Sequence, residues 1–99
     1  MEEKYPIRIK LLKTKDMVYF SQLDLTIILE RALRRTKLTL YFTKGFRPHP
    51  KLSFKNAIKV GIEGEEEVTI YFSKPIELKK VLNSLTEQLP DGLKILQIY

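Results

Sequence analysis

The chain has 99 residues, 43% of them hydrophobic and 30% charged, with a formal net charge of +6. That is the size of one domain with one core, spanning 1–99, and the composition is that of a folded chain rather than a disordered one. There is no cysteine and only one histidine, His49, which excludes a disulfide scaffold, a thiolate metal or iron–sulfur site, a cysteine nucleophile and any multi-histidine metal site within the chain.

No metal or cofactor is therefore expected, and the missing cysteines fit a reducing, cytoplasmic compartment. The start, Met1 to Pro6, is acidic and lacks the apolar core of a secretory signal. Apolar stretches such as residues 25–29 are far too short to span a bilayer, so no membrane partner is expected.

In chain order, Ile7, Ile9 and Leu11 alternate with Arg8, Lys10 and Leu12, the period-two pattern of a half-buried strand. Residues 17–20 are read as a short second strand completing a hairpin. Ser21 then stands as an N-cap, with Asp24 at the capping-box position. The helix behind it carries Leu25, Ile28, Leu29, Ala32 and Leu33 on one stripe, and Glu30, Arg31, Arg34 and Arg35 on the other. Glu30 and Arg34 are at favourable i,i+4 spacing, and arginines suit a helix C-terminus.

Leu38, Leu40 and Phe42 alternate with Thr39, Tyr41 and Thr43 as a further strand. Residues 57–62 and 68–72 read as a hairpin around an acidic tip, Glu63-Gly64-Glu65-Glu66, with solvated carboxylates. Leu78, Val81, Leu82, Leu85 and Leu89 mark a second amphipathic helix, closed by Pro90-Asp91-Gly92, and residues 94–98 form a last strand. The order predicts an α+β domain: a ferredoxin-like split βαβ sandwich with two helices on one face of an antiparallel sheet, and an extra strand or a long bent hairpin.

Charge is segregated. Residues 31–62 hold nine Lys or Arg and no Asp or Glu, against nine basic and twelve acidic residues elsewhere. Such a basic block suits an anionic partner. Within it, Gly45-Phe46-Arg47-Pro48-His49-Pro50-Lys51-Leu52-Ser53-Phe54 does not read as scaffold. Pro48 and Pro50 stiffen it and push Arg47 and His49 toward extended geometry, and Gly45 can supply positive φ. Phe46, Leu52 and Phe54 are expected to pin the loop to the body, leaving Arg47, His49 and Lys51 on one side.

Cations interleaved with aromatics on a stiff loop suit single-stranded nucleic acid, with phosphates paired and bases stacked. Arg31, Arg34, Lys44, Arg47, His49 and Lys51 are the candidate binding residues. Ser21, Asp24, Gly45, Phe46, Pro48, Pro50 and Ser53 are the motif or structural positions. Ser21 and Asp24 with His49 could suggest a hydrolytic triad, but capping explains the first two. No catalytic residue is assigned.

The segments Phe20-Ser21-Gln22-Leu23-Asp24-Leu25, Arg31-Ala32-Leu33-Arg34-Arg35, residues 45–54 and Val60-Gly61-Ile62-Glu63 together resemble the radical-SAM-linked (radical-SAM-associated) family of uncharacterised bacterial domains. The chain departs from that family's pattern at Gln22, where the pattern has His, and at Arg47, where it usually has Asn. The resemblance implies an accessory role beside a radical-SAM enzyme or an RNA-processing assembly, with any iron–sulfur cluster in a partner. Three functions follow as expectations: an RNA-binding module, a protein–protein adaptor docking a radical-SAM enzyme, and a metal-independent ribonuclease using His49 as base.

Overall fold

The computed structural model describes residues 3–56 and 60–99. Strand β1 (Tyr5–Lys13) is followed by a short 3-10 helix (Lys15–Tyr19) and helix α1 (Gln22–Arg35). Strands β2 (Leu52–Phe54) and β3 (Gly64–Phe72), helix α2 (Leu78–Thr86) and strand β4 (Leu93–Ile98) complete the chain. The four strands form an antiparallel sheet in the order β2-β3-β1-β4, the arrangement that a split βαβ sandwich requires.

Period-two alternation decides which face of the sheet is covered. Ile7, Ile9 and Leu11 from β1 and Val68, Ile70 and Phe72 from β3 point to one side. There they pack against Leu29, Ala32 and Leu33 of α1 and Val81 and Leu85 of α2. Both helices therefore lie on the same face. The opposite face carries Arg8, Lys10, Glu65, Glu67, Thr69 and Tyr71, and no described element packs on it.

Helix α1 starts where the capping residues direct. The Ser21 hydroxyl accepts from the Asp24 amide at 3.2 Å, and the Asp24 carboxylate accepts from the Ser21 amide at 3.1 Å. This reciprocal box satisfies two amides that would otherwise lack partners at the helix start. At the other end, Arg35 reaches Gln88 beyond α2, donating to its side-chain and main-chain oxygens at 3.0 Å each. Arg35 is thus a structural link between the two helices.

Three expected strands differ. Residues 17–20 are no strand: the chain leaves β1 through Lys15, at φ 54°, and winds into the 3-10 helix. Leu38–Phe42 makes only isolated bridges, Leu40 to Phe72 and Phe42 to Pro50. The partner of β3 is Leu52–Phe54, in register Leu52 to Ile70. Of the expected strand over 57–62, residues 57–59 lie outside the described residues and 60–62 form a turn.

The expected acidic tip is also different, because Gly64 to Glu67 already belong to β3. Alternation sends Glu66 to the core side, where it meets Lys13 at 3.1 Å, with side-chain exposures of 14% and 1%. A carboxylate that read as solvated is therefore half of a shielded pair. Each partner excuses the burial of the other, and truncating one would strand a charge.

The last strand is anchored by Gly92. Its carbonyl accepts from the Thr14 amide at 2.9 Å, its φ is 95°, and a Cβ there would stand 2.7 Å from Met17 Cγ and 2.8 Å from the Thr14 carbonyl oxygen. Both the left-handed backbone and the close approach require glycine. Gly92→Ala is expected to lose on the order of 1–3 kcal/mol of stability. Urea unfolding would show it as a lower midpoint at unchanged slope, and an unmoved midpoint would contradict the close approach.

Candidate nucleic-acid interface

The long segment between α1 and β2 is a tongue inserted into an edge strand. Leu40 sits opposite Phe72 and Leu52 sits opposite Ile70, so the position opposite Tyr71 is claimed twice. The Tyr41 amide donates to the Tyr71 carbonyl at 2.9 Å, and the Tyr71 amide donates to the Lys51 carbonyl at 3.2 Å. The Lys51 amide in turn donates to the Tyr41 carbonyl at 2.8 Å. Between these two stems the chain runs out and back, closed by the Thr43 amide on the His49 carbonyl at 2.8 Å. The His49 amide donates to the Thr43 hydroxyl at 3.2 Å. Residues 43–54, expected as an extended loop, thus include the return of a hairpin beyond the minimal fold.

The tongue is latched to α1. His49 Nδ1 lies 2.8 Å from Glu30 Oε2, and Arg34 donates to the Pro48 carbonyl at 3.2 Å. The Arg34 guanidinium also stands 5.6 Å from the centre of the Phe42 ring. Glu30 and Arg34 are one helical turn apart, so one stripe of the helix holds the root and the return of the tongue. A carboxylate on Nδ1 orients an imidazole as it does in acid–base catalysis; here it also serves as a clamp.

The candidate residues therefore divide. Arg34 and His49 are engaged with the protein itself, while Arg31 and Arg47 are exposed. Lys44 is exposed at the outer end, next to Gly45 at φ 125°. Lys51 lies with its ammonium 5.5 Å from the centre of the Tyr71 ring, on the uncovered face of the sheet. The expectation that Arg47, His49 and Lys51 share one side is corrected, since His49 turns to α1 and Lys51 away from it.

Phe46 does not pin the tongue either. Its side chain is fully exposed, while Leu52 and Phe54 pack against the core and Pro50 is buried. The tip is thus Lys44-Gly45-Phe46-Arg47, one bare ring between cations. Pro48 contributes its carbonyl to the latch, and Ser53 faces outward opposite Thr69.

Sequence reasoning missed a second cluster. On the uncovered face, Lys51 stands over Tyr71, Lys4 over Tyr41 at 5.5 Å and Arg8 over Tyr99 at 5.1 Å. Each exposed cation–ring contact is worth about 0.5–1 kcal/mol. Tyr99 joins the sheet through paired backbone bonds with Arg8, at 2.8 and 2.9 Å. The alternation of Tyr71 with Ile70 and Phe72 was a readable signal; the placement of Tyr41 and Tyr99 depended on strand order.

Among the described residues, no group of three or more His, Asp or Glu is placed to hold a metal ion. No helix among them is long and apolar enough to cross a membrane. Residues 6–99 match the model of a family described as an uncharacterized protein conserved in bacteria (DUF2344). No curated protein and no solved structure matches the chain.

The hydroxyl of Tyr99 donates to the Glu67 carboxylate. That bond holds the Glu67 carboxyl below the usual range, against the opposing effect of desolvation and with help from Lys55, Arg8 and Lys10. The same bond raises the Tyr99 hydroxyl. A depressed carboxyl stabilises the fold at neutral pH and loses that contribution as pH falls through its folded value; the raised phenol loses its own as pH climbs past about 10. Tyr99→Phe is expected to move the Glu67 titration upward, toward an ordinary carboxylate. Carboxyl NMR reads this directly, and an unmoved titration would contradict the assigned cause.

Proposed function

The chain belongs to that uncharacterised bacterial family, and from this premise we propose that it is a non-catalytic accessory module that binds single-stranded RNA. The observation that carries the reading is the tip of the tongue: an exposed Phe46 between Lys44 and Arg47, on a hairpin latched to α1. A bare ring beside cations offers a base a stacking partner and its phosphates a counter-charge. The latch supplies preorganisation, so less ordering entropy is lost on binding. Arg31, Lys44, Arg47 and Lys51 are the phosphate contacts in this reading. Arg34 and His49 position the tongue.

The partner enzyme is a separate step. Assistance to a radical-SAM enzyme or an RNA-processing assembly rests on the resemblance carried by residues 45–54 and the other matching segments. A second reading, an adaptor that docks such an enzyme without RNA, is favoured by an exposed apolar stripe. Tyr19 and Leu23 are each 68% exposed and Ile27 follows them, beside a groove of about 370 Å³ lined by Phe20, Asp24, Ile27, Ile28 and Arg31. Recovery of a partner from lysate that survives nuclease treatment favours the adaptor; recovery abolished by nuclease favours RNA.

The binding reading predicts a steep salt dependence. Log affinity for a labelled single-stranded RNA should fall with log salt by roughly 0.7 per phosphate neutralised. Arg47→Ala should reduce that slope by about one such step, whereas His49→Ala should weaken binding with little change in slope. The RNA should be recovered intact in both cases. A flat salt response, or no binding at low salt, would contradict the proposal, and cleavage lost in His49→Ala would instead support the ribonuclease.

A further inference from the structure

The uncovered face of the sheet has an organisation that the tongue alone does not explain. One cross-strand row reads Tyr99, Arg8, Thr69 and Ser53 from β4 to β2. The adjoining row reads Pro6 and Tyr71, ending at the two stems of the tongue, Tyr41 and Lys51. Three tyrosine rings thus lie along a path from β4 to the tongue root. Each has its own cation: Arg8 on Tyr99, Lys51 on Tyr71 and Lys4 on Tyr41. Lys10, Lys55 and Lys94 add positive charge to the same face, against Glu65 and Glu67.

We propose that this face is a base-stacking track for an unpaired RNA segment, with Tyr99, Tyr71 and Tyr41 as the stacking rings and Arg8, Lys51 and Lys4 as the cations that meet its phosphates. The proposal rests on the RNA-binding reading and deepens it, because it names the form of RNA and a second set of contacts. In the free protein the cations cover the rings. A base stacked on a ring contributes more than an exposed cation does, so the exchange is favourable. The displaced cation remains close enough to pair with the adjoining phosphate.

Spacing selects the strand form. Tyr99 is opposite Arg8 and Tyr71 opposite Pro6 on the two sides of β1, so two strand spacings and a two-residue offset, together about 12 Å, separate their positions. Bases inside an A-form RNA duplex stay stacked on one another and present edges rather than faces. Only a splayed single strand can lay successive faces on rings this far apart. Glu67 does not oppose this, because it is held by the Tyr99 hydroxyl and lies within reach of Lys55, at 3.9 Å. The track ends at Tyr41 and Lys51, the two stems of the tongue.

The test uses the full chain and a fluorescein-labelled 12-nucleotide oligouridine RNA, with a blunt RNA duplex as comparison. Tyr71→Leu is expected to weaken oligouridine binding by roughly 5- to 150-fold, with an unchanged salt slope. Tyr71→Phe should retain the affinity, which separates loss of the ring from loss of the hydroxyl. Tyrosine fluorescence should be quenched on binding, and less so in Tyr71→Leu. Thermal unfolding of each variant reports whether it is folded; should Tyr71→Leu unfold, Tyr99→Leu replaces it with the same expected loss. Wild-type binding that neither Tyr→Leu variant weakens, with Arg47→Ala still weakening it, would overturn the track and leave the RNA-binding reading standing. Equal affinity for duplex and oligouridine would also overturn the track. No binding of either RNA by the wild type would overturn both.

Discussion

The amide and carbonyl of Tyr71 are bonded to two different segments of chain, and the candidate surface hangs on that junction. Its carbonyl takes the Tyr41 amide and its amide gives to the Lys51 carbonyl. β3 is already paired with β1 along one side, so both stems can join its other side only if the chain between them leaves the sheet. The tongue is the consequence. The same residue sends its ring to the uncovered face, beneath Lys51. One position therefore fixes where the tongue leaves and supplies a ring to the proposed stacking track.

Charge is spent differently along the basic block than its total suggests. Arg35 ties the helices together, Arg34 and His49 hold the tongue, and Lys51 caps a ring. Exposed ion pairs and cation–ring contacts contribute little to stability individually. Their effect is to order a hairpin that presents Phe46 to solvent. A bare aromatic at the tip of an ordered element is a feature that packing of this domain leaves unused, which is why the proposed function rests there rather than on net charge.

Much of the fold was legible because the patterns were local. Alternation at Ile7, Ile9 and Leu11, the Ser21–Asp24 box, and the stripe of α2 all describe contacts within a few residues. The failures were of register. Leu38–Phe42 has the look of a strand but meets β3 at one bridge, because the next residues feed the tongue. Glu66 sits in a run of acids, yet the pleat turns it to Lys13, which itself continues the inward alternation of β1. Phe46 read as an anchor because phenylalanine usually is one. Of the site, the basic loop could be recognised in the sequence, whereas Lys4, Arg8, Tyr41, Tyr71 and Tyr99 come together only through the order β2-β3-β1-β4.

The central claim is that the tongue and the uncovered sheet face form one surface for unpaired RNA. The direct measurement is an amide and side-chain NMR titration of the protein with oligouridine. The account predicts shift changes at Phe46 and Arg47, at Tyr41 and Lys51, and across Thr69, Tyr71 and Tyr99, with the outer surface of α2 undisturbed. Changes confined to the stripe of Tyr19, Leu23 and Ile27, or no changes at low salt, would contradict it.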